Sequence, residues 1–184
     1  MIQQDGAGRW SPKLLEMQGN YLLLMAQCQM PRQLRSRLDP ADAVHQTLVQ
    51  ALPKLGQCRA ETVAEFRAWL RVILKNVLAR EAGVEPNVVS LCHALDESSG
   101  RFEKFLAADG STPSEKAMRE EQLVRLANAI AALPADQQQA IRLHHLDGLS
   151  LIDVGNQMTR SKEAVAGLLF RGLKRLRDAL GAPH

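Results

Sequence analysis

The chain has 184 residues, of which 46% are hydrophobic and 4% aromatic, so it can bury a core and does not have the composition of a disordered protein. Leu and Ala outnumber β-branched and aromatic residues, which favours helices over strands. The net charge of +3 is too small to indicate a nucleic-acid partner by itself, and no apolar run approaches the roughly 20 residues of a membrane span.

Neither a secretion signal nor a metal or disulfide site is predicted. The first ten residues contain no apolar stretch, so a cytoplasmic protein without membrane contact is expected. Cys28, Cys58 and Cys92 are scattered without C-x-x-C spacing and are interpreted as small buried hydrophobes. His144 and His145 are adjacent, so they lie on different helical faces and cannot share a metal. No cofactor, no catalytic residue and no enzyme activity is expected.

Residues 12–83 are predicted to form a first helical module. Asp39 is suited to cap a helix, and Thr62 with Glu65 has capping-box spacing at the start of the next helix. An apolar stripe with helical spacing follows: Phe66, Trp69, Leu70, Ile73 and Val77. Three basic residues lie roughly opposite that stripe: Arg67, Arg71 and Lys75.

Residues 84–118 are interpreted as a linker, because turn-forming clusters separate its short apolar pieces. A second helical module follows over residues 119–182. Its first apolar stripe consists of Leu123, Leu126, Ala127 and Ile130. The predicted fold is therefore all-α, with two small helical modules joined by a linker.

The second module has the pattern of a helix-turn-helix. One helix is predicted over residues 136–146 and ends near Gly148, a residue that can adopt the left-handed conformation. A short helix over residues 150–158, a three-residue break and a longer helix over residues 162–180 follow. This arrangement places the last helix in the major groove of DNA.

The last helix is predicted to be apolar on one side and basic on the other. Its apolar stripe consists of Val165, Leu168, Leu169, Gly172, Leu173, Leu176 and Leu180. Six basic residues stand against one acid between positions 160 and 177, and such a local excess is the electrostatic signature of a polyanion-binding element. The predicted DNA-binding residues are Arg160, Ser161, Lys162, Glu163, Ala164, Gly167, Arg171, Lys174, Arg175 and Arg177. The early positions would face bases, and the basic residues from Arg171 onward would contact phosphates.

The second module resembles region 4 of the extracytoplasmic-function sigma factors. The segments that carry the resemblance are Leu133-Pro134, IRLHHLDGLS at 141–150, Val154-Gly155, SKEAV at 161–165 and RGLKRLR at 171–177. In that family this helix-turn-helix recognises the −35 promoter element. The resemblance therefore implies the same role for residues 119–182.

The first module resembles region 2 of the same family, through residues 38–47 and 66–76. That region docks on core RNA polymerase and helps to open the −10 element. The positions that the resemblance assigns to polymerase binding are Asp39, Asp42, His45 and Gln46. Those that it assigns to the −10 strand are Arg67, Arg71, Lys75 and Asn76. Trp69 is instead expected in the core beside Phe66.

The resemblance implies a non-catalytic sigma factor whose partners are promoter DNA, core polymerase and, for some members, an anti-sigma factor. Two alternatives stay open. One is an ordinary helix-turn-helix regulator whose N-terminal helices dimerise. The other is a degenerate sigma-like protein kept for protein contacts, because the basic stretch that often follows Asn76 in the family is shortened here.

Overall fold

The computed structural model describes residues 10–31, 33–83 and 113–181, and their regular structure is entirely helical, which confirms the all-α prediction. The chain divides into two compact units, Met1–Glu120 (unit 1) and Glu121–His184 (unit 2). Of the predicted linker, residues 84–112 lie outside the described residues, and the remainder belongs to a helix that begins at Pro113.

Between residues 10 and 83, the described part of unit 1 contains four α-helices and two short 3-10 turns. The helices are α1 Pro12–Glu16, α2 Gly19–Gln29, α3 Pro40–Ala51 and α4 Val63–Glu81, and the turns are Leu34–Ser36 and Leu52–Gln57.

The predicted caps of α3 and α4 are present. The Asp39 carboxylate accepts a hydrogen bond from the Ala41 N–H at 2.7 Å, and the Thr62 hydroxyl accepts one from the Glu65 N–H at 3.2 Å. The Glu65 carboxylate reaches back to the Glu61 N–H at 2.7 Å. Each bond satisfies a backbone donor that has no partner inside its helix, so these helix starts are fixed locally.

The core of unit 1 forms around α4. Phe66, Leu70 and Val77 are fully buried, and Trp10 stacks on Phe66 with ring centroids 4.4 Å apart. The Trp69 ring also stacks on Phe66, with ring centroids 5.7 Å apart, which confirms the predicted pairing. Trp69 is only half-buried, however, so its assignment to the core is wrong.

One side of α4 differs from the prediction. Arg67 was expected opposite the apolar stripe, but it is 8% exposed and donates from Nε to Gln18 Oε1 at 3.0 Å. Its guanidinium also lies 5.9 Å from the centre of the Tyr21 ring. The expectation of an outward-facing Arg67 is wrong because α2 packs against α4 and covers this second side.

Unit 2 contains the predicted helix-turn-helix. α5, Pro113–Ala131, spans the boundary between the units; α6 Ala135–Ile141, a π-helical turn Arg142–Leu146, α7 Leu151–Met158 and α8 Lys162–Leu180 follow.

The buried stripe of α8 is narrower than predicted. Its buried members are Val165, Leu168, Leu169, Gly172 and Leu176. Leu173 and Leu180 are 36% and 38% exposed, so their assignment to the core is wrong. The physical reason is that α8 packs mainly on α6 and α7, which cover one limited arc of its surface.

Candidate DNA-binding surface

The turn between α7 and α8 is fixed by several local interactions. Ser150 caps α7 by accepting from the Asp153 N–H at 3.2 Å. At the other end Thr159 adopts the left-handed conformation with φ 53°, the single positive φ of a non-glycine residue in the described part of the chain. Ser161 then caps α8 by accepting from the Ala164 N–H at 3.2 Å. The direction of α8 is therefore set by the turn that precedes it.

Two glycines allow close packing within the helix-turn-helix, one beside this turn and one inside α8. A Cβ atom on Gly155 would lie 2.7 Å from the backbone oxygen of Arg160, and a Cβ on Gly172 would lie 2.8 Å from Ile141 Cδ1. The backbone contact at Gly155 leaves no room for a side chain, and at Gly172 the end of the Ile141 side chain would have to shift. Gly155 thus holds the turn close against α7, and Gly172 holds α8 close against α6.

The outer face of α8 is basic and exposed. Lys162, Glu163, Ala164 and the later basic residues Arg171, Lys174, Arg175 and Arg177 are all exposed. Within the described residues no ion pair joins any of these four later cations to an acid. Their charges are therefore available to an external polyanion.

Arg160 is placed differently from the residues of α8. It lies in the turn, and its guanidinium is 2.5 Å from Asp136 Oδ2 at the start of α6, with both side chains about half exposed. An exposed pair of this kind contributes only about 0–1 kcal/mol. The DNA contact predicted for Arg160 would require that this guanidinium be shared or released.

Phe170 is a residue of this surface that the sequence analysis did not single out. It is 72% exposed, the most exposed of the large hydrophobic residues described. It lies seven positions after Glu163 and four before Lys174, so it shares their face of α8. Leaving a Phe exposed forgoes about 1.5–3 kcal/mol of burial. The sequence could have indicated this residue, because it places an apolar side chain among the basic residues of α8. Apolar side chains in this position contact thymine methyl groups.

A second surface lies on α3. Asp39, Asp42 and His45 are exposed and Gln46 is half-buried. The Asp39 carboxylate is occupied by its own helix cap. Val49 and Leu52, which are 58% and 50% exposed, extend this face beyond the predicted residues. A surface with acidic residues at one end and exposed aliphatic residues at the other is typical of a protein-binding site.

The residues predicted to contact the −10 strand do not form one exposed group. Arg67 is buried, and Arg71 donates to the Tyr21 hydroxyl oxygen at 2.5 Å and pairs with Glu120. Burial raises the pKa of Tyr21 to about 12, with the nearby Glu120 carboxylate acting in the same direction. Lys75 and Asn76 are half-buried.

In the described part of the chain no group of three or more His, Cys, Asp or Glu side chains could hold a metal ion. His144 Nδ1 instead lies 2.7 Å from the Leu149 carbonyl oxygen. Nor is any described helix long and apolar enough to cross a membrane.

Residues 123–176 match the family described as Sigma-70, region 4, a span that runs from α5 through most of α8. No curated protein and no solved structure matches the chain.

Proposed function

From the match of residues 123–176 to sigma-70 region 4, we propose that the chain is a non-enzymatic, DNA-binding sigma factor of the extracytoplasmic-function group. It binds core RNA polymerase and directs transcription initiation by recognising −35 and −10 promoter elements. The observation that carries the proposal is the exposed basic face of α8, whose other side is anchored on α6 and α7.

Recognition of the −35 element is assigned to α8. Accessible residues of its first turns face the bases, namely Lys162, Glu163, Ala164 and Gly167. Phe170 adds an apolar contact of the kind that thymine methyls accept. Arg171, Lys174, Arg175 and Arg177 contact phosphates, which position the helix without reading sequence. Ser161 has its hydroxyl engaged in the cap of α8, so its contribution to DNA binding is to orient that helix.

Polymerase binding is assigned to the exposed face of α3. Asp42, His45 and Gln46 supply its polar part, and Val49 and Leu52 supply apolar area. Asp39 contributes mainly by capping the helix that carries them. Burial of the two aliphatic side chains by a partner would add to affinity in proportion to the area covered.

Contact with the −10 strand is assigned to Lys75 and Asn76 alone. The structure leaves both partly accessible, whereas Arg67 and Arg71 have their guanidinium groups engaged inside unit 1. We propose that Arg67 and Arg71 support the fold of unit 1 instead of binding DNA.

The two promoter contacts act together when polymerase holds both units on one DNA molecule. Each contact raises the effective concentration of the other, so two individually weak modules give a specific complex. A sigma factor works beside polymerase and chromosome, which implies a cytoplasmic location. An anti-sigma factor that covers the α3 face or the α8 face would switch the activity off.

The proposal is tested by reconstitution with purified core polymerase. The full chain should co-purify with the core enzyme and support transcription from promoters selected from a genomic DNA library. Absence of a stable complex with core polymerase would refute the sigma-factor function, while leaving DNA binding by α8 open to separate measurement.

The basic face of α8 gives a second prediction. Arg171→Ala and Lys174→Ala should each weaken binding to any DNA duplex and reduce the slope of log K against log salt by about one unit. The matched control is Arg125→Ala, an exposed arginine of α5 outside the helix-turn-helix. Fluorescence anisotropy over a salt series measures the slopes, and slopes equal to that of the control variant would exclude phosphate contacts by these residues.

The burial of Arg67 and the pairing of Arg71 favour one second candidate, a sigma-like protein that binds polymerase without opening promoters. Permanganate footprinting of the reconstituted complex separates the two functions. Reactive thymines in the −10 region support the sigma factor, and a bound but fully closed promoter supports the alternative.

A further inference from the structure

Gly167 occupies a place in α8 where the backbone does not require glycine. It lies inside a regular helix, and its φ is outside the left-handed region in which glycine is favoured. Glycine in a helix interior is less stable than alanine. The backbone conformation therefore does not explain why position 167 is glycine. The side chain that lies next to its Cα does.

A side chain on Gly167 would make a tight contact with the Arg171 guanidinium, which borders the space beside its Cα. A Cβ atom there would lie 3.2 Å from Arg171 Nη1 and 3.7 Å from both Cζ and Nη2. Helical side chains lean toward the helix N-terminus, so a residue four positions later can lie over the glycine. The guanidinium is therefore folded along α8 toward the end that carries Lys162.

No described residue holds the guanidinium in this position. Arg171 is exposed and takes part in no hydrogen bond or ion pair with the described part of the protein. None of its five N–H donors is used by a residue within 10–31, 33–83 or 113–181. Among the described residues, only the absence of a side chain on Gly167 accounts for the position of the Arg171 side chain.

We propose that Gly167 is a positioning residue that sets where Arg171 meets DNA, an inference that rests on the proposed function of α8. The missing side chain lets the guanidinium lie flat against the helix, one turn nearer to the base-facing end. There its planar group can bind a phosphate through two parallel hydrogen bonds. A methyl group at position 167 pushes the guanidinium outward by a few tenths of an ångström, and a larger side chain moves it farther from that phosphate.

If Gly167 had no role in DNA binding, the expected effect of its replacement on affinity would be different. Replacing it with alanine would then strengthen α8 and leave DNA binding unchanged. The positioning role instead predicts a helix that is more stable and a complex that is weaker. These two effects have opposite signs, so the same variant distinguishes the two explanations.

The experiment is a double-mutant cycle in the full-length protein. Gly167→Ala and Gly167→Leu are each made in the wild-type chain and in Arg171→Ala. Binding to a short labelled duplex of mixed sequence is measured at low salt, and melting temperatures are recorded by circular dichroism. We expect Kd to rise about threefold for alanine and about tenfold for leucine in the wild-type background, with melting temperatures equal to or above wild type.

In the Arg171→Ala background the glycine substitutions should raise Kd by a smaller factor than in the wild-type background and leave the salt slope unchanged, because the guanidinium that they displace is absent. Equal losses in both backgrounds, or wild-type binding by both glycine variants, would overturn the positioning role while leaving the phosphate contact intact. Wild-type binding by Arg171→Ala itself would overturn the phosphate contact of the proposed function and this inference with it.

Discussion

Tyr21, Arg71 and Glu120 form a hydrogen-bonded cluster that joins distant segments of unit 1. The Tyr21 hydroxyl accepts from Arg71 and donates to Glu120 Oε2 at 3.5 Å. Because Tyr21 is the one tyrosine in the sequence, its ionisation can be followed without interference from another phenol. Local sequence offers no hint of this cluster, since its members come from three distant segments of the chain.

This residue gives a pH prediction. The pKa of Tyr21 is raised from 10.0 to about 12 by burial, so the neutral phenol stabilises the fold fully below pH 10. That contribution, on the order of 2 kcal/mol, is lost as the pH rises toward 12. Absorbance titration of the phenolate and urea unfolding at several alkaline pH values measure the two effects.

Tyr21→Phe is the matched variant for that titration, because it removes the ionising group and keeps the ring. Its free energy of unfolding should fall less steeply between pH 10 and 12 than that of the wild type. A phenolate that forms near pH 10 while circular dichroism still shows a folded protein would contradict the burial argument.

Some single-residue positions could be predicted from the sequence and others could not. Caps depend on neighbours a few positions away, so Asp39 and Thr62 could be assigned from spacing alone. The position of Arg67 depends on Gln18, which is 49 residues away in sequence. Helical periodicity describes one helix in isolation and does not say how many sides of α4 its neighbours cover.

At the scale of elements, the helix-turn-helix was predictable because each boundary has a local cause. Serine caps begin α7 and α8, and Gly148 with φ 69° follows the turn that ends the preceding helix. The π-helical form of Arg142–Leu146 was not predicted. Its five-residue hydrogen-bond spacing is seen in the bond from the Asp147 N–H to the Arg142 carbonyl at 2.9 Å.

The close approach at Gly155 gives a prediction for this element. Gly155→Ala should destabilise unit 2, because the new Cβ meets a backbone oxygen at 2.7 Å and that oxygen belongs to the fixed turn. Overpacking of about 1–3 kcal/mol outweighs the gain of about 1 kcal/mol in helix propensity. Chemical denaturation followed by circular dichroism measures the difference.

Gly19→Ala is the control for that substitution, since a Cβ at Gly19 meets nothing within 4 Å. Its stability should equal or exceed that of the wild type. If both alanine variants were equally stable, the turn would be able to move away from α7 and the packing argument would be wrong.

At the scale of the whole molecule, the proposed contacts are divided between the units. The α3 face belongs to unit 1 and the α8 face to unit 2. The net charge of +3 does not reveal that the two surfaces belong to different units. Composition could therefore exclude broad classes of protein, whereas the order of the two family-like segments along the chain was needed to suggest a bipartite promoter-binding protein.

Asp42→Arg tests whether the two surfaces act separately. It should abolish co-purification with core polymerase, since it reverses the charge at the acidic end of the α3 face, and leave helicity and duplex binding by the free protein unchanged. The control Glu16→Arg makes the same charge change at an exposed position of α1. Pull-down, circular dichroism and anisotropy give the three readouts, and normal co-purification would remove the α3 face from the proposal.

The stacking of Trp10 and Trp69 on Phe66 also determines what spectroscopy can detect in this protein. Both tryptophans and the single tyrosine belong to unit 1. Intrinsic emission therefore reports changes around the α4 core and contains no chromophore from the helix-turn-helix. A dye or an introduced tryptophan on unit 2 would give the second half of the molecule its own optical signal, so that the two halves could be followed separately during complex formation.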